Sequence, residues 1–128
     1  MSHVFEYALL RAVPRQERGE FMNVGVIVYC ADLNFLCAKT HVDGDRLRAL
    51  DPDFDVELLE ASLDQLGLAC DGDKAAGPVS DTSLGQRFRW LTAPRSTTVQ
   101  TSPAHTGLTD DPAKELNRLH RTLVLLDR

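Results

Sequence analysis

The chain has 128 residues and a mass of 14.2 kDa, enough for one domain around one hydrophobic core. Hydrophobic residues make up 43%, charged residues 26% and aromatics 6%, which excludes a disordered or collagen-like chain. Nineteen acids against fourteen lysines and arginines give a net charge of −5, the opposite of the basic excess that marks most nucleic-acid binders.

Residues 4–13 predict a strand, with Phe5, Tyr7, Leu9 and Arg11 on one face and Val4, Ala8 and Leu10 on the other. Pro14 ends it, because proline cannot donate to a strand ladder. A polar loop over residues 15–20 leads to a second strand over 21–31. Its near-continuous apolar run, with Val24, Val26, Ile27 and Val28, predicts burial on both faces and a central place in a sheet. Asn34 suits the left-handed position of a short hairpin, and residues 34–42 supply a third strand. The period then changes. Residues 43–50 predict a short helical turn, and Asp51-Pro52 a stop or a fresh start. Over 54–70, Val56, Leu59, Leu63, Leu66 and Cys70 share one side of a helix. Residues 71–83, rich in Asp, Gly, Ser and Pro, predict a mobile surface loop. Leu84, Phe88 and Leu91 mark another helix, ended by Pro94, and residues 96–102 a fourth strand or a surface crossing. Asp111 as cap, Pro112 at the first position, and the stripe Leu116, Leu119, Leu123 and Leu126 predict the last helix.

This order does not alternate strand and helix. It predicts a single α+β domain over 1–128: an antiparallel sheet, built on a three-stranded meander with a possible fourth strand, and helices packed on one face. The longest apolar run, residues 24–31, is far short of the roughly 20 residues that cross a bilayer. No leader pattern opens the chain, so a cytoplasmic protein is expected. Cys30, Cys37 and Cys70 are odd in number and lack CxxC spacing. A two-residue hairpin loop would set Cys30 against Phe35, a three-residue loop would put the two sulfurs on opposite faces, and a four-residue loop would set Cys30 against Cys37. Reduced thiols in a cytosolic core are the expected state, with no metal and no cofactor.

Four constellations offer chemistry. In the first loop, Arg11, Arg15, Arg18 and Asn23 present donors for a phosphate or a partner's carboxylates, with Glu20 as an orienting group or base. Arg87, Arg89 and Trp90 surround Phe88, and such an aromatic beside arginines suits a nucleic-acid or protein hot spot. In an expected loop over residues 102–107, before the last helix, His105 is a candidate base and Ser102 or Thr106 a candidate nucleophile, near Asp110 and Asp111. His120 shares the stripe of Leu116 and Leu123 and reads as a core-edge histidine. Charge is also uneven: residues 41–75 hold ten acids and three bases, whereas residues 84–95 hold three arginines and no acid. Such segregation suits docking of a charged partner.

The run Tyr7-Ala-Leu-Leu-Arg11-Ala-Val-Pro14, followed by Arg18-Gly-Glu20-Phe-Met-Asn23-Val-Gly25-Val-Ile-Val, resembles the opening of a bacterial family of unknown function. His105-Thr-Gly107-Leu-Thr-Asp-Asp111-Pro112 resembles a later stretch of that family. The resemblance implies a stand-alone cytosolic protein whose gene often lies beside one for a HipA-like, kinase-fold protein; it carries no catalytic residues over. The leading expectation is therefore a protein-interaction partner or regulator of a HipA-like kinase, in a toxin–antitoxin or stress module. The alternative is an enzyme for a phosphorylated or nucleic-acid substrate, which needs the arginine loop and His105 in one cleft. A nucleic-acid adaptor built on Arg87, Arg89 and Trp90 is a third expectation. A homo-oligomer would follow from an exposed strand edge.

Overall fold

A computed structural model of the chain describes residues 1–95 and 97–125. The first third forms the expected meander of β1 (His3–Ala12), β2 (Met22–Cys30) and β3 (Phe35–Thr40). Asn34 takes the left-handed conformation at φ 52°, and its N–H meets the Ala31 carbonyl at 3.1 Å to close the turn. The register sets Cys30 opposite Phe35 and Cys37 opposite Val28, as the two-residue loop requires, and all three thiols are free.

The pairing of β1 with β2 slips by one residue between Leu10 and Arg11, leaving Val24 as the extra residue of a bulge. Strict alternation would set Met22 and Val24 on the face opposite Ile27. The bulge brings all three into the same core cluster.

Two further strands occupy the other edge of β1. β4 (Val99–Thr101) pairs with Leu10–Ala12, and β5 (His105–Thr109) pairs with His3–Tyr7, both antiparallel. Residues 105–109 are therefore a strand rather than the expected loop, and residues 99–101 join the sheet. The predicted start of that fourth strand, Ser96, lies outside the described residues. Ser102 splices the two strands: its backbone N–H donates to the Leu9 carbonyl, and its hydroxyl accepts the Leu9 N–H, each at 2.9 Å. A side chain thus restores a ladder bond next to Pro103, which has no N–H of its own.

Every helix starts at a side-chain cap. Asp43 opens α1 (Gly44–Leu50), Asp55 opens α2 (Val56–Asp71), Ser83 opens α3 (Leu84–Leu91), and Asp111 opens α4 (Pro112–Leu123). Each carboxylate or hydroxyl accepts an otherwise orphaned first-turn N–H. Ser83 and Gln86 complete a reciprocal capping box. Residues 71–83 are more ordered in form than the predicted mobile loop. They make two short 3-10 turns, Lys74–Ala76 and Pro78–Asp81, and Val79 enters the core.

The helices do not share one face of the sheet. Leu47 of α1, Leu59 and Leu63 of α2, and Phe88 and Leu91 of α3 pack with Ala8, Leu10 and Ile27. Leu116 and Leu119 of α4 pack instead with Phe5, Val26 and Val28, the alternate residues of the same strands. The reason lies in β2, whose side chains are apolar on both sides and exclude water only if helices cover both. Leu126, placed in the apolar stripe from sequence, lies outside the described residues. No helix among the described residues is long and apolar enough to cross a membrane.

His120 is buried in α4. Burial lowers its pKa, and the cationic Lys39 and nearby His41 push the same way, against a smaller opposing effect of the Thr40 backbone. The native state therefore holds a neutral imidazole, while the unfolded chain takes up a proton near the ordinary value of about 6.5. The unfolded state binds more protons, so stability falls as pH drops below that value toward the lowered native one. Urea unfolding of wild type and His120→Phe at pH 7.5, 6.5 and 5.5 measures this. The difference in midpoint between the two proteins should shift toward the variant on acidification; a constant difference would exclude the linkage.

Candidate interaction site

The arginine loop is internally paired. Arg15 donates to Glu17 at 2.7 Å and Arg18 to Glu20 at 2.5 Å, all four side chains in contact with solvent. The Arg18 hydrogen bond holds the Glu20 carboxyl below the usual range, which disfavours it as a base. Arg11 stacks its guanidinium 4.2 Å from the centroid of the half-exposed Phe21 ring. Asn23, opposite Arg11 across the ladder, donates to the Leu123 carbonyl at 3.2 Å and ties β2 to the end of α4. Beside them a shallow hollow of about 180 Å³ is lined by Phe21, Asn23, Arg46 and Leu123.

His105 stands elsewhere. It pairs with Tyr7, five residues along β1 from Ala12, where the loop carrying Glu20 departs. At about 3.3 Å per residue that is roughly 16 Å of strand. The arginine loop and His105 therefore stand at different places along β1 and do not form the one cleft that the enzyme reading required. His105 is exposed and tilts against the Tyr7 ring at 5.2 Å. Ser102, a candidate nucleophile from sequence, is buried in the splice between β4 and β5. Burial pushes the Cys70 thiol up to about 12 and raises that of Cys37 as well, so neither is a thiolate at neutral pH. Among the described residues no group of three or more His, Cys, Asp or Glu is placed to hold a metal ion.

Helix α3 separates its three singled-out residues by their surroundings. Arg87 turns inward and donates to the Cys70 carbonyl at 2.8 Å, satisfying the end of α2. Arg89 makes a bidentate pair with Glu6 of β1 at 2.8 and 2.7 Å, which anchors α3 to the sheet. The Arg89 side chain keeps 60% of its surface exposed in this pair. Trp90 points outward and is 50% exposed.

Trp90 borders a cleft of about 430 Å³ between α2, the end of α3 and β4. Leu58, Leu66, Leu91 and Val99 form its apolar wall. Arg95 lies over the Trp90 ring, 4.4 Å from its centroid, and donates to the Trp90 carbonyl. A stacked guanidinium of this kind holds the indole in one orientation at the mouth. Leu58 is exposed beside it, and the solvent side of α2 carries Asp55, Glu57, Glu60 and Asp64. Sequence reasoning singled out Trp90 but not Leu58 or Arg95. The cleft joins segments more than thirty residues apart, and the spacing of Trp90 and Arg95 matches no helical repeat.

These features define an α+β protein with a five-stranded antiparallel sheet, helices on both faces, and an apolar cleft with an exposed tryptophan at its rim. The chain belongs to the family described as protein of unknown function (DUF3037), which it matches over residues 7–124. No curated protein and no solved structure matches it.

Proposed function

We propose that this protein is a protein-interaction module that binds and regulates a kinase-fold partner of the HipA-like class, using the Trp90 cleft as its docking surface. The partner class rests on the resemblance of the opening motif. The docking surface rests on one observation: a half-exposed tryptophan, held by Arg95, at the mouth of a cleft walled by aliphatic side chains. Tryptophan in such a position supplies large contact area for little lost side-chain freedom, which is why it dominates interface hot spots. The acids along the outer side of α2 favour a partner segment with an apolar anchor flanked by basic residues.

Co-expression with a HipA-like kinase-fold protein, followed by size-exclusion chromatography and titration calorimetry, tests the proposal. A stoichiometric complex is expected, and Trp90→Ala should weaken it at least about thirtyfold, the equivalent of a 2 kcal/mol hot spot. Separate elution of the two proteins overturns the partnership. A complex indifferent to Trp90→Ala overturns the surface.

A further inference from the structure

We propose that β5 pairs with β5 of a second copy of this chain, antiparallel about a two-fold axis at Gly107, to make one continuous sheet across a homodimer. The backbone directions follow from the splice at Ser102. Leu9 exchanges both of its backbone hydrogen bonds with Ser102, so the odd residues of β1 aim their peptide groups at the β4 and β5 side. Their partners His105, Gly107 and Thr109 aim back at β1. Thr106 and Leu108 consequently aim N–H and C=O groups outward, along an edge with no strand beside it among the described residues.

Other edges of this sheet are blunted. β3 carries Lys39 and packs against both α2 and α4. In β4 the Val99 carbonyl is occupied by the Thr97 hydroxyl at 2.6 Å. β5 has neither device: His105-Thr106-Gly107-Leu108-Thr109 contains no Lys, Arg, Asp, Glu or Pro. An edge without charge or proline is a template for another strand.

The occupant is a second copy because β5 complements itself. With Gly107 opposite its own counterpart, Thr106 faces Leu108 of the other copy and the reverse, giving two pairs that each exchange two backbone hydrogen bonds. No like charges meet in this register. The side chains agree: Val4 and Leu108 are cross-strand partners, 58% and 67% exposed. In the dimer Leu108 of each copy lies beside Thr106 of the other and diagonal to the other Leu108, so the two leucines lose water together across the junction. The contact uses one short strand per copy, so association is reversible and depends on concentration. It is independent of the Trp90 cleft, which lies on other elements.

Sedimentation equilibrium over a wide concentration range tests this. The weight-average mass should rise from 14.2 kDa toward twice that value. Leu108→Pro removes one outward N–H per copy without touching the bonds to β1, and Leu108→Lys puts a charge on the edge. Both variants should stay at monomer mass with the wild-type circular dichroism spectrum. If Leu108→Pro loses that spectrum, the exposed-site variant Leu108→Lys decides alone. A wild type that stays monomeric throughout overturns the proposal, as does a dimer that survives Leu108→Lys.

Discussion

Phe88→Ala lowers the free energy of unfolding by about 3–5 kcal/mol, the largest loss expected from a single truncation in this chain. Phe88 is fully buried and the largest of the side chains that are. Its ring stacks on Tyr29 at 5.3 Å between centroids, and it joins α3 to the sheet within the cluster that also holds Leu10, Ile27 and Leu59. Alanine removes the transfer free energy of the ring and leaves a cavity that two helices and a sheet cannot fully collapse around. A domain of this size holds on the order of 5–15 kcal/mol in total, so the variant should unfold at a much lower urea concentration. Phe88→Leu, which keeps most of the volume, should lose less. A Phe88→Ala loss below about 1 kcal/mol would mean that α3 contributes little to the core.

Gly25→Val costs about 3 kcal/mol, for the opposite reason of too much volume. Gly25 lies in β2 between Leu10 on one neighbour and Thr40 on the other. An ideal Cβ there would stand 2.9 Å from Leu10 Cδ1 and 3.0 Å from both the Lys39 carbonyl oxygen and Thr40 Cγ2. The two side chains can yield, but the Lys39 carbonyl belongs to the β3 backbone, and moving it strains the sheet. Gly67 supplies the contrast. It sits within α2, and a Cβ there meets nothing within 4 Å. Gly67→Ala should therefore stabilise the protein by about 0.5–1 kcal/mol, since alanine is the better helix former. Thermal unfolding of the two variants should move in opposite directions; a neutral Gly25→Val would show that β3 can shift away without cost.

Much of the candidate chemistry was visible in the sequence as residue types but not as roles. Arg87 and Arg89 look equivalent in the run Arg87-Phe88-Arg89-Trp90, yet one satisfies the Cys70 carbonyl and the other pairs with Glu6. Helical periodicity says which way each points relative to Phe88 and nothing about what waits there. Glu20 and His105 could be combined on paper because the chain order leaves their separation open, and only the register of β5 on β1 sets them apart. The fifth strand carries no strand pattern in the sequence, because Gly107 interrupts it and its other side chains are mostly polar. The glycine has a packing reason: the Phe5 ring lies 2.7 Å from where a Cβ would stand.

What the amino-acid order determines alone is local. Runs of apolar residues make β1 and β2 strands, caps at Asp43, Asp55, Ser83 and Asp111 start the helices, and the doubly apolar β2 demands a central position. These depend on periodicity and on first-turn hydrogen bonds, which span only a few residues. Tertiary structure alone decides that α4 takes the face opposite the other helices, that β4 and β5 extend β1, and that Trp90 meets Leu58 and Val99 at one cleft. Those outcomes depend on contacts between residues far apart in the chain, and a local hydrophobic pattern states that a face must be covered without naming the element that covers it.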